Sequence, residues 1–190
     1  MKTFAIILFV FMCVAQWVVP GKMIYDSESV VTSGTVYKFK TQPIDPSDPF
    51  RGKYITLSFE ANRIDPPGDH PWRYNEEVYV TFTQDSAGFA MPTSISTTPP
   101  AEGAYLHTKV SYVDSGSSSP VGFELPFDRF YLEESKASEA EKAYWEAQRD
   151  STQVAYGVVR IGAGNAVLTD VMINDRSIVE VVKAMNRTPE

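Results

Sequence analysis

Residues 153–173 read QVAYGVVRI, then GAGN, then AVLTDVMI. Two runs rich in β-branched residues flank four turn-forming ones, the pattern of antiparallel strands joined by a short loop. This hairpin decides the fold class, because the same grammar recurs upstream. Residues 35–40, TVYKFK, alternate apolar and polar side chains, as a half-buried strand does. Residues 53–59, KYITLSF, repeat the alternation, and residues 78–82 and 105–113 are further strands. Asp85-Ser86-Ala87-Gly88 is a turn from which the chain returns at Phe89 as a second hairpin arm. One helix interrupts the strands. Ser138-Glu139-Ala140-Glu141 matches a capping box with Ser138 as N-cap, and good helix formers continue to Arg149. Tyr144 is expected to pack on the sheet. The pattern predicts a mainly β, β-rich α+β domain: an antiparallel sandwich or barrel-like sheet with one helix near residues 138–149.

The N-terminus follows a different rule. Residues 3–19, TFAIILFVFMCVAQWVV, form an apolar run interrupted by Gln16. At ~1.5 Å per residue the run spans roughly 25 Å, a little short of a ~30 Å hydrocarbon core. Continuing to Ile24 closes the gap, and Trp17 suits an interface. Pro20-Gly21-Lys22 is expected to break the helix. Cys13-Val14-Ala15 fits a signal-peptidase site, but the apolar run continues past it, which favours an uncleaved anchor. The reading divides the chain into a signal-anchor or transmembrane helix over residues 1–22 and an exported β-rich domain over residues 23–190. Lys2 and the free amine favour a cytoplasmic N-terminus, so the main domain is extracytoplasmic on a single-pass protein.

Composition narrows the chemistry. The chain has 190 residues, 43% of them hydrophobic and 22% charged, which suits one folded domain with an appendage. Lys2 aside, 16 basic residues face 24 acidic ones. A net charge of −7 for the whole chain argues against nucleic acid as a partner. The lone Cys13 lies in the apolar run, so residues 23–190 contain no thiol. His70 and His107 lie apart, with no ligand spacing around them, so no metal is implied. Gly162-Ala163-Gly164 sits in a hairpin rather than before a helix, and no Gly-x-Ser-x-Gly elbow occurs. No cofactor is implied, no catalytic residue is assigned, and these absences argue against an enzyme more than for one.

Two charged, aromatic blocks remain. In residues 43–49, PIDPSDP, the prolines fall three apart, which suits a polyproline II segment. It is either a rigid loop presenting Asp45, Asp48 and Arg51 to a partner, or a stiff lead-in whose aspartates cap turns. In residues 127–134, FDRFYLEE, Asp128, Arg129, Glu133 and Glu134 stand beside Phe127, Phe130 and Tyr131. Asp48 with Glu134 would be the carboxylate pair for acid–base work if held about 5–9 Å apart. Otherwise Arg129 pairs with a carboxylate to fasten a loop.

Residues 43–59, PIDPSDPFRGKYITLSF, resemble the signature of the GDYXXLXY family, bacterial membrane-anchored proteins. Gly52, Tyr54 and Leu57 match, while Lys53 stands in place of Asp and Phe59 in place of the last Tyr. Residues 127–134 resemble the family's second block, an aromatic segment ending in Pro-Glu-Gly, with Glu134 at its Glu. The resemblance implies an extracytoplasmic domain held in the bacterial inner membrane by one helix, with no established activity. It also implies a multi-pass membrane protein as candidate partner. The motif positions offered for binding are Asp45, Asp48, Arg51, Gly52, Tyr54, Leu57, Arg129, Tyr131 and Glu134. Two functions follow as expectations: an accessory or binding module docking on a membrane partner, or an envelope hydrolase using Asp48 and Glu134. The poverty of reactive side chains favours the first. A purely structural role is the third option. Gly52 and Tyr54 would then build a bulge and a core, and Tyr54→Ala would unfold the domain.

Overall fold

A computed structural model of the chain describes residues 2–43, 54–65, 71–113 and 120–185, the side chains of residues 2, 5, 134 and 135 excepted. The first element is helix α1, Lys2–Ser33. Its stretch Ile6–Ser33 is long and apolar enough to cross a membrane, and the domain covers none of its most apolar part. The helix does not break at Pro20-Gly21 as the sequence reading expects; Pro20 lies inside it. One proline removes one backbone bond, and the continuous helix on either side of it retains the rest.

α1 passes into strand β1, Thr35–Lys40, through a single residue, Gly34. The Gly34 N–H donates to the Val30 carbonyl at 2.8 Å. A Cβ on Gly34 would stand 2.5 Å from that same oxygen, so the junction requires glycine. Val30 itself is buried, and it packs against Gly162. The apolar helix therefore joins the β domain without a linker.

The next strands are β2 (Tyr54–Thr56), β3 (Arg63–Ile64), β4 (Glu77–Gln84), β5 (Ala90–Ser96), β6 (Tyr105–Val113), β7 (Val121–Phe123) and β8 (Arg129–Tyr131). Helix α2 (Glu134–Arg149), strands β9 (Ala155–Ile161), β10 (Ala166–Ile173) and β11 (Arg176–Ser177), and helix α3 (Ile178–Met185) complete the order. Neighbouring strands pair antiparallel throughout. Five form one sheet in the order β3-β7-β6-β4-β5, which curls until β3 lies beside β5, a nearly closed barrel-like sheet. Four form a second sheet, β1-β9-β10-β11. The β-rich fold with antiparallel sheets is as the sequence reading expects, and β1, β6 and β10 have the expected bounds.

The two sheets meet at two bridges: Lys38 with Phe89, and Gly164 with Leu106. Gly164 adopts φ of +88°, which lets the β9–β10 turn lay its backbone along β6. Its carbonyl accepts from the His107 N–H at 2.9 Å, and its N–H donates to the Tyr105 carbonyl at 3.1 Å. The Asp85–Gly88 turn is also where expected. The Asp85 carboxylate accepts from the N–H groups of Ala87 and Phe89.

Period-2 burial builds the core. Val78, Val80 and Phe82 of β4 and Leu106 and Val110 of β6 point inward. A set of phenylalanines fills the middle. Phe39 lies 5.0 Å from Phe127, 5.2 Å from Phe82 and 5.9 Å from Phe59, all edge-on. Such tilted rings gain from their quadrupoles as well as from burial.

The helices differ from expectation at their edges. α2 starts at Glu134, with Glu133 as N-cap, so Ser138 is an exposed interior residue and not a cap. Ala137, Ala140, Ala143, Tyr144 and Ala147 face the core at helical spacing. That apolar stripe begins before Ser138 and carries the helix back toward β8. Tyr144 is buried, as expected. α3 has no counterpart in the sequence reading. It buries Ile178 and Val182, four residues apart, and packs against α2.

Candidate functional site

The two motif blocks, some 75 residues apart, come together as a two-stranded ribbon. β2 pairs with β8 in the register Tyr54 with Tyr131, Ile55 with Phe130 and Thr56 with Arg129. The pairing continues one step further, where the Leu57 N–H donates to the Asp128 carbonyl at 2.8 Å. Alternation then sorts the side chains onto two faces.

The inner face is core. Ile55, Leu57 and Phe59 are 1%, 3% and 2% exposed, and Phe127 from the second block lies 5.3 Å from Phe59. Leu57, offered above as a binding position, is a packing residue. Phe59, in place of the motif's last Tyr, needs no hydroxyl where it lies among other rings.

The outer face carries Tyr54, Arg129 and Tyr131. The Tyr54 and Tyr131 rings are 5.5 Å apart at 55°. The Arg129 guanidinium carbon stands 5.1 Å from the centre of the Tyr54 ring, within cation–π range. Its Nε lies 3.9 Å from the Asp128 carboxylate, a loose ion pair. The Tyr131 hydroxyl beside it, then Tyr54 and Asp128, hold the Arg129 guanidinium charged even more firmly than usual. Tyr131 is 66% exposed, so this cluster is open to solvent. Tyr54 is only half-buried and is not among the core residues, which corrects the reading that it builds the core.

The remaining positions are placed as follows. Asp45, Asp48, Arg51 and Gly52 lie outside the described residues, in the segment that leads directly into Tyr54. Glu134 is the first residue of α2, three residues past the end of the ribbon, and its side chain lies outside the described set. The Asp48–Glu134 pair therefore has no geometry here. Glu133 beside it is occupied: Lys136 donates to it at 2.6 Å and holds its carboxyl below the usual range.

Two polar clusters were not anticipated. The Tyr156 hydroxyl donates to Asp175 at 2.5 Å, while Lys38 stands 5.1 Å from the Tyr156 ring centre. Burial, then the Asp175 carboxylate, pushes the Tyr156 hydroxyl up to about 12. Asn174 and Asp175 form the two-residue β10–β11 turn, both at positive φ, where Asn and Asp are tolerated. On the barrel's outer surface, His107 stacks on Tyr79 at 4.7 Å and lies 3.7 Å from Glu77. Among the described residues no three His, Cys, Asp or Glu side chains gather as a metal site would need. The Asn-Asp pair between apolar runs was a readable turn signal; the His107 stack depends on strand register and had none.

An apolar helix fused to an antiparallel β-rich domain, with its motif blocks joined as one ribbon, defines the class. The chain belongs to the GDYXXLXY family, whose model matches residues 16–171, most of the sequence. The family's function is unknown. No curated protein and no solved structure matches the chain.

Proposed function

We propose that this protein is an accessory binding module of the bacterial inner membrane. Residues 1–22 lie in the bilayer with the N-terminus in the cytoplasm, and residues 23–190 are extracytoplasmic. The domain docks on a multi-pass membrane protein through the outer face of the β2–β8 ribbon. The observation that supports this reading is the Tyr54–Arg129–Tyr131 cluster. An arginine fixed on an aromatic ring, flanked by a second exposed tyrosine, has the composition of an interface anchor rather than of a catalytic dyad. Arg129 has five N–H donors, more than the Tyr131 hydroxyl and its loose contact with Asp128 can use, so it fits a carboxylate on the partner. The linker-free passage from α1 into β1 also supports docking, because it limits how far the ribbon can wander from the membrane.

The test is photo-crosslinking from position 131 in native membranes. One integral membrane protein should be captured reproducibly, and Arg129→Ala should reduce the yield about tenfold or more while leaving the domain folded. Capture of no reproducible partner, or a yield indifferent to Arg129→Ala, overturns the proposal.

A further inference from the structure

α1 carries a group that a hydrocarbon environment does not suit. Gln16 is the one carboxamide in the apolar run of residues 3–19. It is exposed on the helix surface, and its side chain makes no hydrogen bond among the described residues. Pro20 lies in the same helix four residues later. Proline has no N–H, so the Gln16 carbonyl lacks the donor it would otherwise have. Two unmet polar functions thus fall at one level: a carboxamide with donors and an acceptor, and a backbone carbonyl. If the helix is the anchor proposed above, that level is inside the bilayer. Residues 3–24 span roughly 33 Å, and Gln16 lies within about 4 Å of their middle. Lipid offers no partner, and transmembrane helices satisfy such groups by associating.

We propose that α1 pairs in parallel with α1 of a second copy of this chain, along a seam centred on Gln16. Two copies share one orientation and one depth, so a two-fold axis brings Gln16 against Gln16. A carboxamide complements itself: the NH2 of one donates to the C=O of the other. The Gln16 backbone carbonyl, without an N–H at Pro20, offers a further acceptor. A different helix would need its own polar group at that depth. Phe9, Cys13, Pro20 and Met23 share the Gln16 face at helical spacing. The domain covers none of this stretch. The contact that ties α1 to the domain, Val30 on Gly162, falls on this same face about two turns beyond Met23, so the seam ends before it.

The native Cys13 reports the pairing, since it lies about one turn from Gln16 and about 60° around the helix. The full chain in phosphatidylethanolamine–phosphatidylglycerol vesicles, oxidised with copper phenanthroline, should form a disulfide-linked dimer. Gln16→Leu should lower the yield several-fold, and Gln16→Asn should retain most of it. Moving the thiol about 160° from Gln16, with Cys13→Ser and Val14→Cys together, should also lower it several-fold. Equal yields from the two thiol positions, or a yield unchanged by Gln16→Leu, overturn the pairing. So does photo-crosslinking from position 13, within the seam, that captures only another protein in native membranes. A chain extracted by alkaline carbonate fails the anchor reading itself; a chain that stays inserted but monomeric fails the pairing alone.

Discussion

The two faces of the β2–β8 ribbon are built from the same few residues and do opposite things. Ile55, Leu57 and Phe59 face inward against Phe127, while Tyr54, Arg129 and Tyr131 face solvent. Both faces are aromatic, so hydrophobicity alone does not separate them. Strand alternation does: a shift of one residue in register would exchange the two sets. One half of the motif therefore packs the fold, and the other half faces outward, where the proposed docking would use it.

The sharpest way to break this comparison is to truncate one ring from each face. Phe59→Ala should destabilise the domain by about 3–5 kcal/mol, because a 2% exposed ring leaves a cavity among other rings. Tyr54→Ala should cost about 1 kcal/mol, the scale of a partly exposed ring pair with a cation–π contact. It should nevertheless remove the docking proposed for this face. Urea unfolding of the two variants checks both figures. Equal losses would mean that Tyr54 is a structural residue after all and that the faces are not separate.

A smaller effect probes the inner face from behind. Gly157 on β9 lies against the Phe59 ring, and a Cβ there would stand 3.0 Å from Phe59 Cε1 and 2.9 Å from Leu168 Cδ1. Leu168 is half-buried and can move, but Phe59 is enclosed. Gly157→Ala should therefore cost about 1–3 kcal/mol by overpacking, read as a fall in melting temperature. Combined with Phe59→Leu, which makes room, the loss should be less than the sum of the two single losses.

Much of this arrangement was legible in the sequence, and the reasons for what was not are physical. Local period-2 patterns located β1, β6 and the β9–β10 hairpin, because each strand buries one face. The pairing of β2 with β8 was not legible, since register between segments some 75 residues apart leaves no local trace. The start of α2 was misplaced because Ser138-Glu139-Ala140-Glu141 satisfies the capping pattern inside a helix as readily as at its start. The buried Ala137 just ahead of it was the better guide. α3 was missed because Ile178, Val179, Val181 and Val182 are β-branched, and four-residue spacing of two buried side chains is weak evidence in eight residues. At the site, Tyr54, Arg129 and Tyr131 were named from their blocks, but only the fold separates them from Leu57.

The smallest effect sits behind the ribbon, on α2, where burial rather than charge sets a titration. Tyr144 is 3% exposed, and its hydroxyl has no hydrogen bond of its own. The nearby Gln148 amide donates to the Thr41 hydroxyl at 2.6 Å instead. Thr41 and Gln148 are close enough to ease ionisation of the Tyr144 hydroxyl, but burial outweighs them and pushes it up from 10.0 to about 12. A folded-state value above the unfolded one favours the fold while the group is protonated. That contribution is complete below about pH 10 and is lost as pH rises toward 12. Tyr156, also raised to about 12, acts in the same window and with the same sign. Tyr144→Phe removes a buried hydroxyl that gains no bond, so neutral-pH stability should stay within about 1 kcal/mol of the parent or rise slightly. Melting temperatures measured from pH 9 to 12 should then fall less steeply than in the parent, with the Tyr156 contribution still present. An unchanged slope would mean that the Tyr144 hydroxyl reaches solvent on ionisation, and that this side of α2 opens more readily than its packing implies.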